Sequence, residues 1–426
     1  MSRFRLIILA ATALSFVVVN SIAAESKDVR EFEWTTKSEE AKGQLIELQN
    51  RIENFEAGPS LAELGQNIVA LDPEFAMGVY YLSAVVPPPD NQTHLDKAVE
   101  LSKNASDGER RFIEAMAVAR RNGGANFQAA VPDLEKLAAD YPDERLVFMI
   151  LGQVYQGTNA SDKARKAFER ALEIGPPSAR ARTFIANTRL LDGHYGEARA
   201  TFQDVAKGLP ESSVPFAIRY GVAFSYLYES NSDKAIEALK TYIEEYKASG
   251  ASQNFPEVFI WNSIARIQLE AGRPTEALES YKKGYESVPS SNLSEDQKQL
   301  WLGRLRHGKC RALAKMGKHE EAWAESEEIR KMIDAGGESA QQYLPAYHYL
   351  IGYLKLESGE WDSALEHLKK ADMTDPFQKL LLARAYDKKG SKADAQKAYK
   401  EVVASTTNGL ERALAYPEAK KKLSIS

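Results

Sequence analysis

Residues Arg145 to Ser178 read RLVFMILGQVYQGTNASDKARKAFERALEIGPPS, and this stretch of sequence decides the fold. Its apolar residues recur with the period of an amphipathic helix, interrupted near the middle and stopped at Pro176. A small residue, Gly152, precedes Tyr155, and Ala164 precedes Phe168 and Ala171. That order suits two antiparallel helices in which small side chains permit close approach and a ring one turn later fills the layer.

Compared with itself at a fixed offset, the chain repeats. Ala130, Ala164 and Ala198 are spaced by 34 and then 34. Their phrases agree: Ala130-x3-Leu134-x2-Leu137-x4-Pro142, Ala164-x3-Phe168-x2-Ala171-x4-Pro176 and Ala198-x3-Phe202…Pro210. Ala277-x3-Tyr281…Pro289 and Ala364-x3-Leu368-x2-Ala371-x4-Pro376 continue the pattern. A glycine stands five residues before the alanine at Gly193, Gly272, Gly317, Gly359 and Gly390, where a left-handed cap would end one helix before the next begins. Spacing is looser toward the C-terminus, with Ala198, Ala235, Ala277, Ala322, Ala364 and Ala395 lying 37, 42, 45, 42 and 31 apart.

With Phe148 at the slot usually held by Trp, and Leu151-Gly152, Tyr155, Ala164, Phe168, Ala171 and Pro176 at matching distances, the unit resembles a tetratricopeptide repeat. Trp261 supplies the Trp itself in the unit from Val258. The resemblance implies an all-α, right-handed α-solenoid of about nine or ten antiparallel helix pairs. Units begin near Arg111, Arg145, Ala179, Phe216, Val258, Gly303, Pro345 and Pro376. Two degenerate pairs are expected over 42–110, TPR units over 111–249, a connector at 250–257, and units with longer helices or loops over 258–408. A closing helix and tail follow at 409–426. Val86-Pro-Pro-Pro-Asp90 reads as a stiff connector within a pair.

In that family, positions 5 and 9 of each unit face the concave groove. Carried over, they give Met149 and Gln153, Thr183 and Asn187, Tyr220 and Phe224, then Asn262 and Arg266. The later units give His307 and Arg311, Tyr349 and Tyr353, then Leu380 and Arg384. No unit supplies both the Lys and the Asn of the family's carboxylate clamp for chaperone tails. From Tyr220 onward the slots carry three Arg and several Tyr with no acid. Such a surface suits an acidic or carboxylate-ended peptide, since guanidinium forks pair with carboxylates and Tyr offers rigid contact area.

The first two dozen residues have another character. Arg3 and Arg5 precede an uncharged apolar run from Leu6 to Val19, followed by Ser21-Ile22-Ala23-Ala24. This is the pattern of a cleaved secretory signal peptide over 1–24, with a linker over 25–41. Export to the periplasm or outside the cell is expected, with no membrane span left after cleavage. The run is shorter than the roughly 20 residues a span needs. Because Arg3 and Arg5 are the leader's charged residues, its removal takes the net charge from -5 to -7, which disfavours nucleic acid as a partner. Cys310 is the one cysteine, so no intramolecular disulfide can form.

No catalytic or metal-ligating constellation stands out. The six histidines lack ligand spacing, and His319-Glu320-Glu321 has no second His four residues on. No phosphate loop, dinucleotide glycine cluster or nucleophile elbow is present. No cofactor is expected. The expected function is a non-catalytic extracytoplasmic scaffold that binds protein or peptide partners. The alternatives are a hydrolase-like enzyme with a carboxylate site outside known motifs and a self-associating envelope component.

Overall fold

A computed structural model describes residues 30–120, 126–158, 160–210 and 214–424. The expected leader, 1–24, lies outside them. Among the described residues the chain is helical, with no strand. The first pairs are α1 (Glu39–Glu53) with α2 (Pro59–Leu71), α3 (Ala76–Val85) with α4 (Asp90–Ser102), and α5 (Asp107–Arg120) with α6 (Phe127–Asp140). Next come α7 (Arg145–Gly157) with α8 (Ser161–Ile174), α9 (Ala179–Leu191) with α10 (Tyr195–Lys207), and α11 (Phe216–Tyr228) with α12 (Ser232–Ala248). The C-terminal pairs are α13 (Val258–Glu270) with α14 (Pro274–Tyr285), and α15 (Glu295–Lys315) with α16 (His319–Ala335). After a single turn, α17 (Gly337–Ala340), come α18 (Leu344–Glu357) with α19 (Trp361–Leu368), and α20 (Pro376–Lys389) with α21 (Lys392–Val403). A lone helix, α22 (Leu410–Lys422), ends the array.

Local chemistry sets the helix ends. Ser38 and Ser178 accept from backbone amides three residues on, and Ser294 forms a capping box with Gln297. All five glycines of the periodic signal have positive φ, from +76° at Gly317 to +89° at Gly193. A non-glycine takes the same place once: Ser230, five before Ala235, sits at φ +59°.

Packing follows the small-residue logic. Ala130, Ala164, Ala171, Ala198, Ala277 and Ala364 are wholly buried. A Cβ on Gly152 would come within 2.6 Å of the Phe168 ring, so the glycine sets how close α7 and α8 lie. Two further glycines act across units instead: a Cβ on Gly221 would come within 2.5 Å of Phe202 of the preceding pair, and one on Gly308 within 2.6 Å of Tyr281. The proline rule needs one correction. In the unit from Pro345 the second helix ends at Leu368, well before Pro376, and Pro376 opens α20 instead. An Asp375 carboxylate already caps that helix, and proline needs no amide partner in a first turn.

The array curves back on itself. First helices of successive pairs meet in order: α11 reaches α13 through Tyr220 and Ser263, and α13, α15, α18 and α20 then pack one on the next. The last helix, α22, then packs against both α20 and α11 and touches α13, closing the C-terminal half into a ring. At the other end an extended segment is laced onto the solenoid. Phe32 donates its amide to Glu144 at 3.0 Å, and its ring fills the notch above Gly108, 6.1 Å from Phe112.

Candidate partner-binding groove

The inward face of the C-terminal half is built by α11, α13, α15, α18 and α20, and α22 lies across part of it. Leu410 and Ala413 join the core of α11 to α13, while Ala415 and Ala419 join that of α20 and α21. The seam of α22 is therefore mostly alanine, and its fixed points are polar. Glu411 is ion-paired with Arg266 of α13. Glu418 receives Nε and Nη2 of Arg384 at 3.0 and 2.6 Å, a bidentate contact, and Arg384 also reaches Glu270 at 3.2 Å. Asn408 donates to Asn187 of α9 at 2.7 Å, and Lys422 pairs with Asp387 at 2.6 Å.

Behind these pairs lies a layer of rings and one buried cation. Arg311 donates to the hydroxyls of Tyr349 and Tyr281 at 2.9 and 3.0 Å and, from Nε, to the His307 carbonyl at 3.4 Å. The His307 ring stands 5.1 Å from that of Tyr349. Burial first, then the Arg311 charge, holds the His307 imidazole well below its usual range, so it is neutral. Burial pushes the Glu411 carboxyl up, but the Arg266 charge, hydrogen bonds to the carboxylate and the Arg304 charge together leave it below the ordinary range. Tyr220 shares a hydrogen bond with Ser263 at 3.0 Å. Arg266 and Arg384 flank the Phe377 ring at 5.3 and 6.0 Å.

An open groove was expected at these slots, and the structure corrects that. Tyr220, Phe224, Arg311, Tyr349, Tyr353 and Leu380 are buried, as are Met149 and Thr183. Asn187, Asn262, Arg266, His307 and Arg384 are half-buried, and Gln153 is exposed. The rings pack between neighbouring helices, Arg266 and Arg384 find carboxylates, and Arg311 finds two phenols. The slots themselves carry no acid, but Glu411 and Glu418 arrive beside them from α22. Nothing in the repeat pattern announces them, since α22 belongs to no repeat. Sequence reasoning also missed Arg304, which is exposed and lies with its guanidinium 4.5 Å from the Trp301 ring.

The repeat-motif residues occupy structural positions. The Tyr155 hydroxyl donates to Glu135 at 2.6 Å, Phe168 packs 4.8 Å from Phe184, and Ala171 lies buried beneath it. The Pro176 carbonyl accepts from Arg145 at 3.2 Å. Trp261 is covered by the Lys283 ammonium at 4.4 Å. Among the described residues no three His, Cys, Asp or Glu side chains come close enough to hold a metal ion. Glu109 and Glu144 are held above the usual carboxylate range by burial, and each accepts an amide of the N-terminal segment, from Thr35 and Phe32. They anchor chain rather than face a cleft. No described helix is long and apolar enough to cross a membrane.

Stacked antiparallel helix pairs wound about a concave face define an all-α solenoid of the protein-binding type. Residues 123–179, 152–213 and 223–292 match the tetratricopeptide repeat family, so the chain carries tetratricopeptide repeats. Three solved structures are similar. PilW, a widely conserved type IV pilus biogenesis factor, is 19% identical with a TM-score of 0.39, over 56% of this chain and 98% of its own. A Rap protein complexed with competence and sporulation factor is 16% identical with a TM-score of 0.45, over 91% and 99%. The human IFIT1 dimer with m7Gppp-AAAA is 14% identical with a TM-score of 0.43, over 87% and 95%. No curated protein matches the chain significantly.

Proposed function

We propose that the protein is a non-catalytic scaffold, exported from the cytoplasm, that holds a protein or peptide partner on the concave face of its solenoid. The supporting observation is that this face already holds a helix. The surface of α11, α13 and α20 receives α22 through two Arg–carboxylate pairs, as a peptide-binding groove would receive its ligand. Export is supported by the leader pattern of Arg3, Arg5, the run Leu6 to Val19 and Ala23-Ala24.

Photo-crosslinking amino acids at Gln153 and Asn262, on the concave side, test the reading against Lys166 and Lys240 on the second helices of their pairs. In the protein's own cells the concave pair should capture a discrete partner that the outer pair does not. Equal capture from both faces, or from the outer face alone, would refute concave binding. N-terminal sequencing of the mature protein should begin at Ala24 or Glu25; soluble protein that retains residues 1–20 would refute export.

A further inference from the structure

We infer that the surface beneath α22 is a docking site for an amphipathic helix of a partner protein that carries two carboxylates on one face, with α22 as the intramolecular helix that occupies it beforehand. The inference rests on the groove-binding reading and names the chemistry of the occupant. Three features of the interface carry it.

The first is charge. Arg266 and Arg384 face α22 from α13 and α20, and each pairs with one of its acids. With α22 lifted away, Arg266 and Arg384 would lose Glu411 and Glu418 and stand with Arg304 beside Glu270 and Asp375, a net positive patch in a chain of net charge -5. An occupant must return the two carboxylates.

The second is spacing. Glu411 and Glu418 are seven residues apart, two helical turns, so both lie on one face roughly 10 Å apart along the axis. The basic residues Lys420, Lys421 and Lys422 follow at the end. A replacement helix therefore needs acids at i and i+7.

The third is the seam. Apart from Leu410 and Arg412, the buried side chains of α22 are Ala413, Ala415 and Ala419, whereas the repeat pairs bury Leu, Phe and Tyr. These alanines allow the close approach, while Arg412, Leu414 and Tyr416, between the two acids, pack against the α11 core. The alanine seam also gives α22 less apolar burial than the repeats have, and Pro417 inside the helix removes one backbone hydrogen bond. Buried ion pairs select a partner more than they add stability, so this interface favours exchange over permanence.

The test uses the full chain and a fluorescein-labelled peptide of residues 405–424, read by anisotropy. Glu411→Arg with Glu418→Arg should release α22, and that protein should bind the peptide at least tenfold tighter than wild type does. Adding Arg266→Glu and Arg384→Glu should restore closure and return binding to the wild-type level. A double variant that keeps its helicity yet binds no tighter overturns the inference. Hydrogen exchange on wild type gives an independent reading: amides of 410–422 should exchange at least tenfold faster than those of α11 and α20, and equal protection overturns it. A wild-type dimer that the peptide dissociates would assign the site to a second copy of this chain and also overturn the partner helix. Concave crosslinks to a native partner, without peptide binding, would leave the scaffold reading standing and remove only the helix chemistry.

Discussion

Arg412 on α22 donates through Nη1 to the hydroxyl of Tyr228 on α11 at 2.8 Å, although 184 residues of chain separate them. Arg412 is 97% buried, and its guanidinium lies 4.3 Å from the Tyr416 ring and also binds the Ser405 carbonyl at 2.7 Å. Arg412→Met keeps the bulk and removes the donors, leaving Tyr228 unpaired, at a cost of roughly 1.5–3 kcal/mol. Urea denaturation should show the lower midpoint, and hydrogen exchange should place the loss in α22 and α11. An unchanged midpoint would mean that the contact contributes nothing net.

Gly152 gives a packing test. Because a Cβ there would meet Phe168 at 2.6 Å, Gly152→Ala should cost roughly 1–3 kcal/mol and Gly152→Leu more. Solenoids couple mainly between neighbouring repeats, so faster exchange should centre on α7 to α10. A variant that melts like wild type would place the helix contact elsewhere.

Ser230 holds a left-handed conformation that its five counterparts assign to glycine. Glycine removes the steric cost of about 1 kcal/mol but loosens the unfolded chain, so Ser230→Gly should gain about 0.5 kcal/mol. Gly272→Ala, at φ +77°, should move the melting temperature the other way. Equal shifts for both would contradict the backbone argument.

Stability should fall in mild acid. His307, His348 and His367 are all held below the ordinary imidazole range, each by burial first and then by neighbouring cations or, for His367, by His348. In the unfolded chain they take protons as the pH falls through about 6.5, while the folded protein resists. Their contribution is thus present above about pH 7 and lost below 6.5. Denaturation midpoints measured from pH 7.5 to 5.5 should decline, and His307→Gln with His367→Gln should flatten the decline.

Burial pushes the Cys310 thiol up to about 12, so almost no thiolate exists at neutral pH. The native protein should not react with a disulfide reagent over minutes, and one equivalent should appear in urea. Rapid native labelling would show that α15 opens.

Charge reversal at the groove separates two kinds of arginine. Arg266 and Arg384 pair with acids of α22, so their reversal should act on that helix. Arg311 has two phenols and a carbonyl around it, and Arg311→Glu would bury an unpaired carboxylate and disrupt folding. The repeat slots alone made these three residues look equivalent.

Helix pairs were legible because their causes are local. A glycine that ends a helix, an alanine that admits a ring and a serine that caps an amide act within one or two turns, and each leaves its mark at a short fixed spacing in the chain. The sequence by itself therefore determined the units, the turn glycines and the all-α solenoid. Ring closure has no such mark. It sums small rotations over the five C-terminal pairs, whose spacing ranges from 31 to 45 residues, and no single unit records the total. Only the tertiary structure brought Glu411 to Arg266 across 145 residues and filled the expected open groove with α22, because charge pairs that distant are chosen by the path of the superhelix rather than by the residues beside them.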